Sequence, residues 1–165
     1  GVLIQKIGKK KSYILGLVLI GVVPLIRLID VTNISILMAA TAVTGFASGL
    51  CMPLTYGIQA DNTDYVEVKM GYRAEAAVAA LSSFITKCGM GIGGAIPGYL
   101  LAAAGFDATA QSQPAEVKTA VIACAIIIPA VLSVAGAVIF GLGYPLTKEK
   151  LIEQAEQVKK LREKQ

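Results

Sequence analysis

Four stretches of this chain carry no charged residue: residues 12–26, 31–60, 88–106 and 119–147. A helix needs about 20 mostly apolar residues to cross the ~30 Å apolar core of a bilayer. The runs therefore predict membrane-spanning helices over residues 12–29, 34–57, 76–104 and 117–144, and an all-α membrane protein. Charged residues make up 16% of the chain, against ~25% in soluble domains. A soluble globule of 165 residues leaves much of its surface wet and cannot hide so much apolar surface. A water-soluble enzyme domain is excluded on that ground. The chain also lacks histidine, which removes histidine acid–base chemistry and histidine metal ligation. No other nucleophile or metal constellation is visible, so no catalytic residue and no metal ligand is expected.

The connections set the topology. Residues 1–11 read as the end of a preceding helix followed by a basic turn, which makes the chain the C-terminal part of something longer. Lys9, Lys10 and Lys11 ahead of an apolar run also resemble the start of a signal peptide. No small-x-small cleavage site followed by a soluble domain supports that alternative. Residues 30–33 form a tight outer turn, 58–75 a charged inner loop, 105–116 a polar outer loop, and 145–165 a tail. On this layout twelve lysines and arginines lie on one side, while Arg27 and Lys118 lie on the other. Such a bias places both ends in the cytoplasm. The basic excess then reports topology and anionic headgroups, with the lipid bilayer as partner and no nucleic acid. The tail repeats Leu151, Ala155, Val158 and Leu161 at steps of four, three and three. That stripe predicts an amphipathic helix, solvated on one face and resting on headgroups with the other; a partner-binding role is the alternative.

Within the spans, Cys51, Cys88 and Cys124 read as small apolar residues and not as a disulfide framework. Gly45 and Gly49 in the second span, and Gly89, Gly93, Gly94 and Gly98 in the third, stand at the small-xxx-small spacing that lets helices approach closely. Pro24, Pro53, Pro97 and Pro129 should each bend or open a helix locally.

Two features carry chemistry. Lys87 lies eleven residues into the third span, roughly 17 Å deep at ~1.5 Å per residue. A charge there costs ~2.5–3.5 kcal/mol on insertion scales unless it faces a cavity or a partner. The four spans contain no Asp or Glu, so Lys87 either lines an aqueous path or pairs with a group elsewhere. In the inner loop, Asp61, Asp64 and Glu67 step by three and share one face of a helical turn, and Lys69, Arg73 and Glu75 follow. The set reads as a solvated loop, as half of a salt-bridge latch, or, least well, as a cation site, since it lacks the glycine and carbonyl pattern of a calcium loop.

The pattern Asp61-x-x-Asp64-Tyr65-x-Glu67-x-Lys69-x-Gly71-x-Arg73-x-Glu75, then Phe84-x-x-Lys87-x-Gly89, Gly98-Tyr99-Leu100-Leu101 and Gly105-Phe106, resembles the glycoside–pentoside–hexuronide cation symporters of the major facilitator superfamily. Met70 and Ala76 depart from it, standing where Thr and Gly are frequent. The resemblance implies twelve transmembrane helices in two bundles, with this chain as the last four. It also implies transport of a sugar or glycoside with Na+ or H+ by alternating access in the cytoplasmic (inner) membrane. No bound cofactor is implied. The coupling-cation site would lie in an N-terminal bundle outside this sequence. Lys87 would line the pathway, and the loop charges would help to close the cytoplasmic side. A small four-helix accessory subunit and a transporter-like sugar sensor are the alternatives.

Overall fold

The structure, a computed structural model, describes residues 2–163. Gly1, and Lys164 and Gln165 of the expected tail, lie outside the described residues. Helix α1 (Val2–Val22) is broken at Gly8, whose φ of 80° and ψ of 162° leave the helical region. It continues as a 3-10 segment, Val23–Leu28, that opens at Pro24. A turn around Asp30 leads to Asn33, whose side chain accepts hydrogen bonds from the Ser35 and Ile36 amides and caps α2, a standard way of satisfying orphan N–H groups. Helix α2 (Ile34–Met70) is followed by α3 (Glu75–Ala103), α4 (Ala115–Ile122), a π-helical turn (Ala123–Ile127), α5 (Ile128–Gly143) and the tail helix α6 (Lys148–Arg162). Among the described residues, four helical stretches are long and apolar enough to cross a membrane.

The prolines divide into two kinds. Pro24 and Pro129 coincide with the 3-10 segment and the end of the π turn, where a missing N–H and the ring's clash with the preceding turn are absorbed by a change of winding. Helix α2 runs unbroken through Pro53, and α3 through Pro97.

The second span differs most from expectation. The segment expected as a loop over 58–75 is helical as far as Met70, and only residues 71–74 turn. At 37 residues and ~1.5 Å per residue, α2 is about 55 Å long, well beyond the ~30 Å apolar core. Charge ends a membrane span, but it does not end a helix. Its terminator is Gly71, which takes φ 75° and returns its N–H to the Glu67 carbonyl, the left-handed cap that glycine adopts without strain. The last turns of α2 therefore stand clear of the membrane on the lysine-rich face.

Packing is uneven. Helix α1 lies between α2 and α5, and α6 lies on α2. Ile58, Tyr144 and Leu146 form a buried cluster on the lysine-rich face, with Tyr13, Phe140 and Leu151 packed around it. Tyr13 meets Phe140 edge-on at 4.9 Å, and Phe140 stacks on Tyr144 at 4.7 Å. By contrast, α3 has no buried residue.

The six glycines expected at helix contacts, Gly45, Gly49, Gly89, Gly93, Gly94 and Gly98, make none within this chain: a Cβ on any of them meets nothing within 4 Å. The reason is positional. Helix α3 touches its neighbours without burying any residue, and α2 turns Ala40, Ala47, Cys51 and Leu54 inward instead. Close approach falls at Gly16, where a Cβ would overlap the Cys51 sulfur, and at Gly21, where it would lie 3.0 Å from the Ala130 carbonyl oxygen. Gly16→Ala is expected to lower stability by about 1–3 kcal/mol, the usual cost of overpacking. Adding Cys51→Ala should recover most of that loss in a thermal unfolding assay. A single variant as stable as the parent would show that the contact relaxes freely.

Candidate functional site

The three carboxylates of the α2 extension each find a different arrangement of partners. Lys9, just after the Gly8 break, donates to both oxygens of Asp61 at 2.7 and 2.9 Å. Asp64 accepts from Arg73 at 3.0 Å and lies 3.8 Å from Arg162. Glu67, whose side chain is only 10% exposed, accepts from Arg73 at 2.9 Å. It also takes a two-pronged contact from Arg162: Nε to Oε1 at 3.1 Å and Nη2 to Oε2 at 3.0 Å. Such a fork matches guanidinium to carboxylate and fixes orientation as well as distance. Arg73 closes the set by donating from Nε to Glu75 at 2.9 Å. Its guanidinium is held charged above the usual arginine range by Glu75, Glu67 and Asp64, and that of Arg162 chiefly by Glu67.

The network thus ties together the start of the first span, the end of α2, the turn after it and the tail. Lys69 stands outside it. Among the described residues it pairs with no carboxylate, and its ammonium lies 5.9 Å from the Tyr65 ring centroid. Position i,i+4 on the helix puts it over that ring, which corrects its expected place in the charge network. No group of His, Cys, Asp or Glu among the described residues could hold a metal ion.

Three members were not assigned from sequence: Lys9, Arg162 and Gln154. The Gln154 amide donates to the Asp61 carbonyl at 2.8 Å. The tail helix is docked on the chain itself, against α2 and the start of α1. Gln154 and Val158 are its buried positions, while Ala155 of the expected stripe is exposed. Steps of four from Gln154 through Val158 to Arg162 trace the docked face, a signal hidden by its polar ends.

Lys87 occupies a second place. It lies about 18 Å along α3 from Glu75 and about 24 Å from Ala103 at ~1.5 Å per residue. A cleft of about 410 Å³ separates α2 from α3 there, lined by Thr55, Tyr56, Gln59 and Asn62 on one side and Thr86 and Lys87 on the other. Lys87 is the one charged residue lining it. Among the described residues no carboxylate pairs with it. Met52 and Ile58 also border the cleft, and the hydroxyl and amide groups between them and the ammonium can hydrogen-bond a polyol or hold an anion.

A model of the family described as MFS/sugar transport protein matches residues 1–148. The chain belongs to that family. Among the relatives of this MFS-family chain is a "Glucuronide carrier protein homolog" of Escherichia coli (strain K12), 30% identical over 92% of this chain and 33% of its own length. An "Isoprimeverose transporter" of Lactiplantibacillus pentosus is 37% identical over 71% of the chain and 25% of its own length. An "Inner membrane symporter YicJ" of Escherichia coli (strain K12) is 32% identical over 70% and 25%. The chain spans a quarter to a third of the length of these MFS relatives. No solved structure matches it at a significant level. The glycoside–pentoside–hexuronide resemblance and the fold of apolar helices agree with this membership.

Proposed function

We propose that the protein carrying this chain is a secondary active transporter that moves a sugar or glycoside with Na+ or H+ by alternating access. Helices α1 to α5 would supply the last four of its twelve spans, in the cytoplasmic membrane with the tail on the cytoplasmic side. Lys87 is the observation that carries the reading. A lone cation in a cleft between membrane helices, bordered by Met52 and Ile58 as well as by polar groups, is costly unless water, substrate or a partner reaches it, and the relatives named above are carriers or symporters by name. On this reading Lys87 lines the pathway, and a carboxylate or sugar hydroxyl from the substrate or the other bundle completes its hydrogen bonds. The network of Asp61, Asp64, Glu67, Arg73 and Glu75 then serves as part of the inner gate. The coupling cation sits among carboxylates of the opposite bundle, which is also the partner that covers α3.

The direct test is uptake of a labelled glycoside into vesicles containing the full-length protein, with and without a Na+ or H+ gradient. Accumulation above equilibrium that collapses with an ionophore is expected. Uptake that ignores both gradients, or none across a panel of glycosides, would remove the proposal.

A further inference from the structure

A cavity of about 390 Å³ opens where the chain breaks at Gly8 and α6 begins, away from the Lys87 cleft. Lys6, Lys9, Lys10, Lys11 and Lys148 line it, against a single carboxylate, Glu149, whose charge acts on Lys148 and Lys11 and leaves the cavity with a basic excess. The positive φ of Gly8 turns the backbone so that lysines before and after the break border one space. Lys9 is committed to Asp61. Lys10 donates to the Tyr144 carbonyl at 2.6 Å, which fixes the ammonium without neutralising it.

Lysines gathered around one cavity repel each other, and an anion between them relieves that repulsion. Location says which anion. The cavity lies where the first apolar run starts, at Ser12, and where the fourth ends, at Tyr144–Leu146, which is the headgroup level of the lysine-rich face. Ile7, exposed, and Leu146, buried, also line it, so apolar surface meets the charge as a glycerol backbone meets its phosphate. Basic pockets between transmembrane helices at this level suit anionic headgroups, and the positive end of the 15-residue α6 adds to the same field.

We propose that this cavity binds the anionic phosphodiester headgroup of a bilayer lipid. The bound lipid joins the ends of the first and fourth spans to the start of the tail helix. This site stands whether or not the transport reading holds, because it uses none of the pathway residues.

The test is native mass spectrometry of the full-length protein in neutral detergent, titrated with phosphatidylglycerol, phosphatidylcholine or inorganic phosphate. Phosphatidylglycerol should be retained severalfold better than phosphatidylcholine. Each lysine near a headgroup contributes roughly fivefold, so Lys6→Gln with Lys11→Gln and Lys148→Gln should cut retention at least about tenfold. Lys159→Gln with Lys160→Gln removes charge from the far end of the tail and should leave retention unchanged. If the triple variant does not insert, Lys11→Gln alone should still show a severalfold fall. Equal retention of the two lipids overturns the proposal. So does unchanged retention in the cavity variants, or displacement of the lipid by millimolar inorganic phosphate, which would make the site one for free phosphate.

Discussion

Replacing Lys87 by Met in the full-length protein is expected to reduce gradient-driven glycoside uptake by roughly tenfold to a hundredfold, the range set by losing a hydrogen bond to a charged group. Methionine keeps the length and most of the packing of the lysine stem, so α3 should insert as before and membrane levels should match the parent. What disappears is the one charge lining the cleft with Thr55, Tyr56, Gln59 and Asn62. Lys87→Arg should recover part of the rate, since it restores charge but presents a planar fork where a compact ammonium stood. Initial uptake rates, normalised to the amount of protein in the membrane, decide the matter. A Met variant that transports at the parental rate would leave Lys87 with no place on the pathway.

Glu67→Ala is expected to loosen the tail helix and the inner side together. Among the described residues, Glu67 is the one carboxylate that holds Arg73 and Arg162 at hydrogen-bond distance simultaneously. Without it, the carboxylate left near Arg162 is Asp64 at 3.8 Å, while the tail keeps its contacts at Gln154, Val158 and Leu151. Isolated surface ion pairs contribute little, whereas a forked contact that fixes a helix end is a case where loss should be visible. Trypsin cleavage at Lys159 and Lys160, exposed positions beside the docked face, should quicken severalfold in vesicles with the cytoplasmic side outward. Uptake kinetics should change with it. Glu67→Gln should fall between the two, since it can still accept hydrogen bonds but no longer attracts. Tail cleavage and uptake that both match the parent would mean that the network is solvated charge without consequence.

The membrane spans were legible because charge is sparse in them, and long charge-free runs show in any window of the sequence. The shared face of Asp61, Asp64 and Glu67 was legible too, since a step of three is a local pattern. Arg73, close in sequence, was legible with them, but their distant partners were not. Lys9 is 52 residues from Asp61, Gln154 is 93 from it, and Arg162 is 95 from Glu67, and no local spacing reports pairing at that range. The extent of α2 was misread for a different reason. Charged residues end the apolar part of α2 and not the helix, whose stop belongs to Gly71. Lys69 could have been placed correctly, because Tyr65 lies four residues before it. The glycines of α3 stand at the right spacing, but spacing says only that a helix can be approached, not which helix does so.

The isolation of α3 bears on how the chain is made. The first, second and fourth spans can settle against one another from contacts within this chain, at Gly16, Gly21 and the Tyr144 cluster. The third is the least apolar of the four spans and has none of its residues buried. During biosynthesis it must therefore enter lipid on its own thin hydrophobicity, with Lys87 uncompensated at a cost of about 2.5–3.5 kcal/mol. Until another helix reaches it, that span is where a newly made copy is most open to membrane quality control.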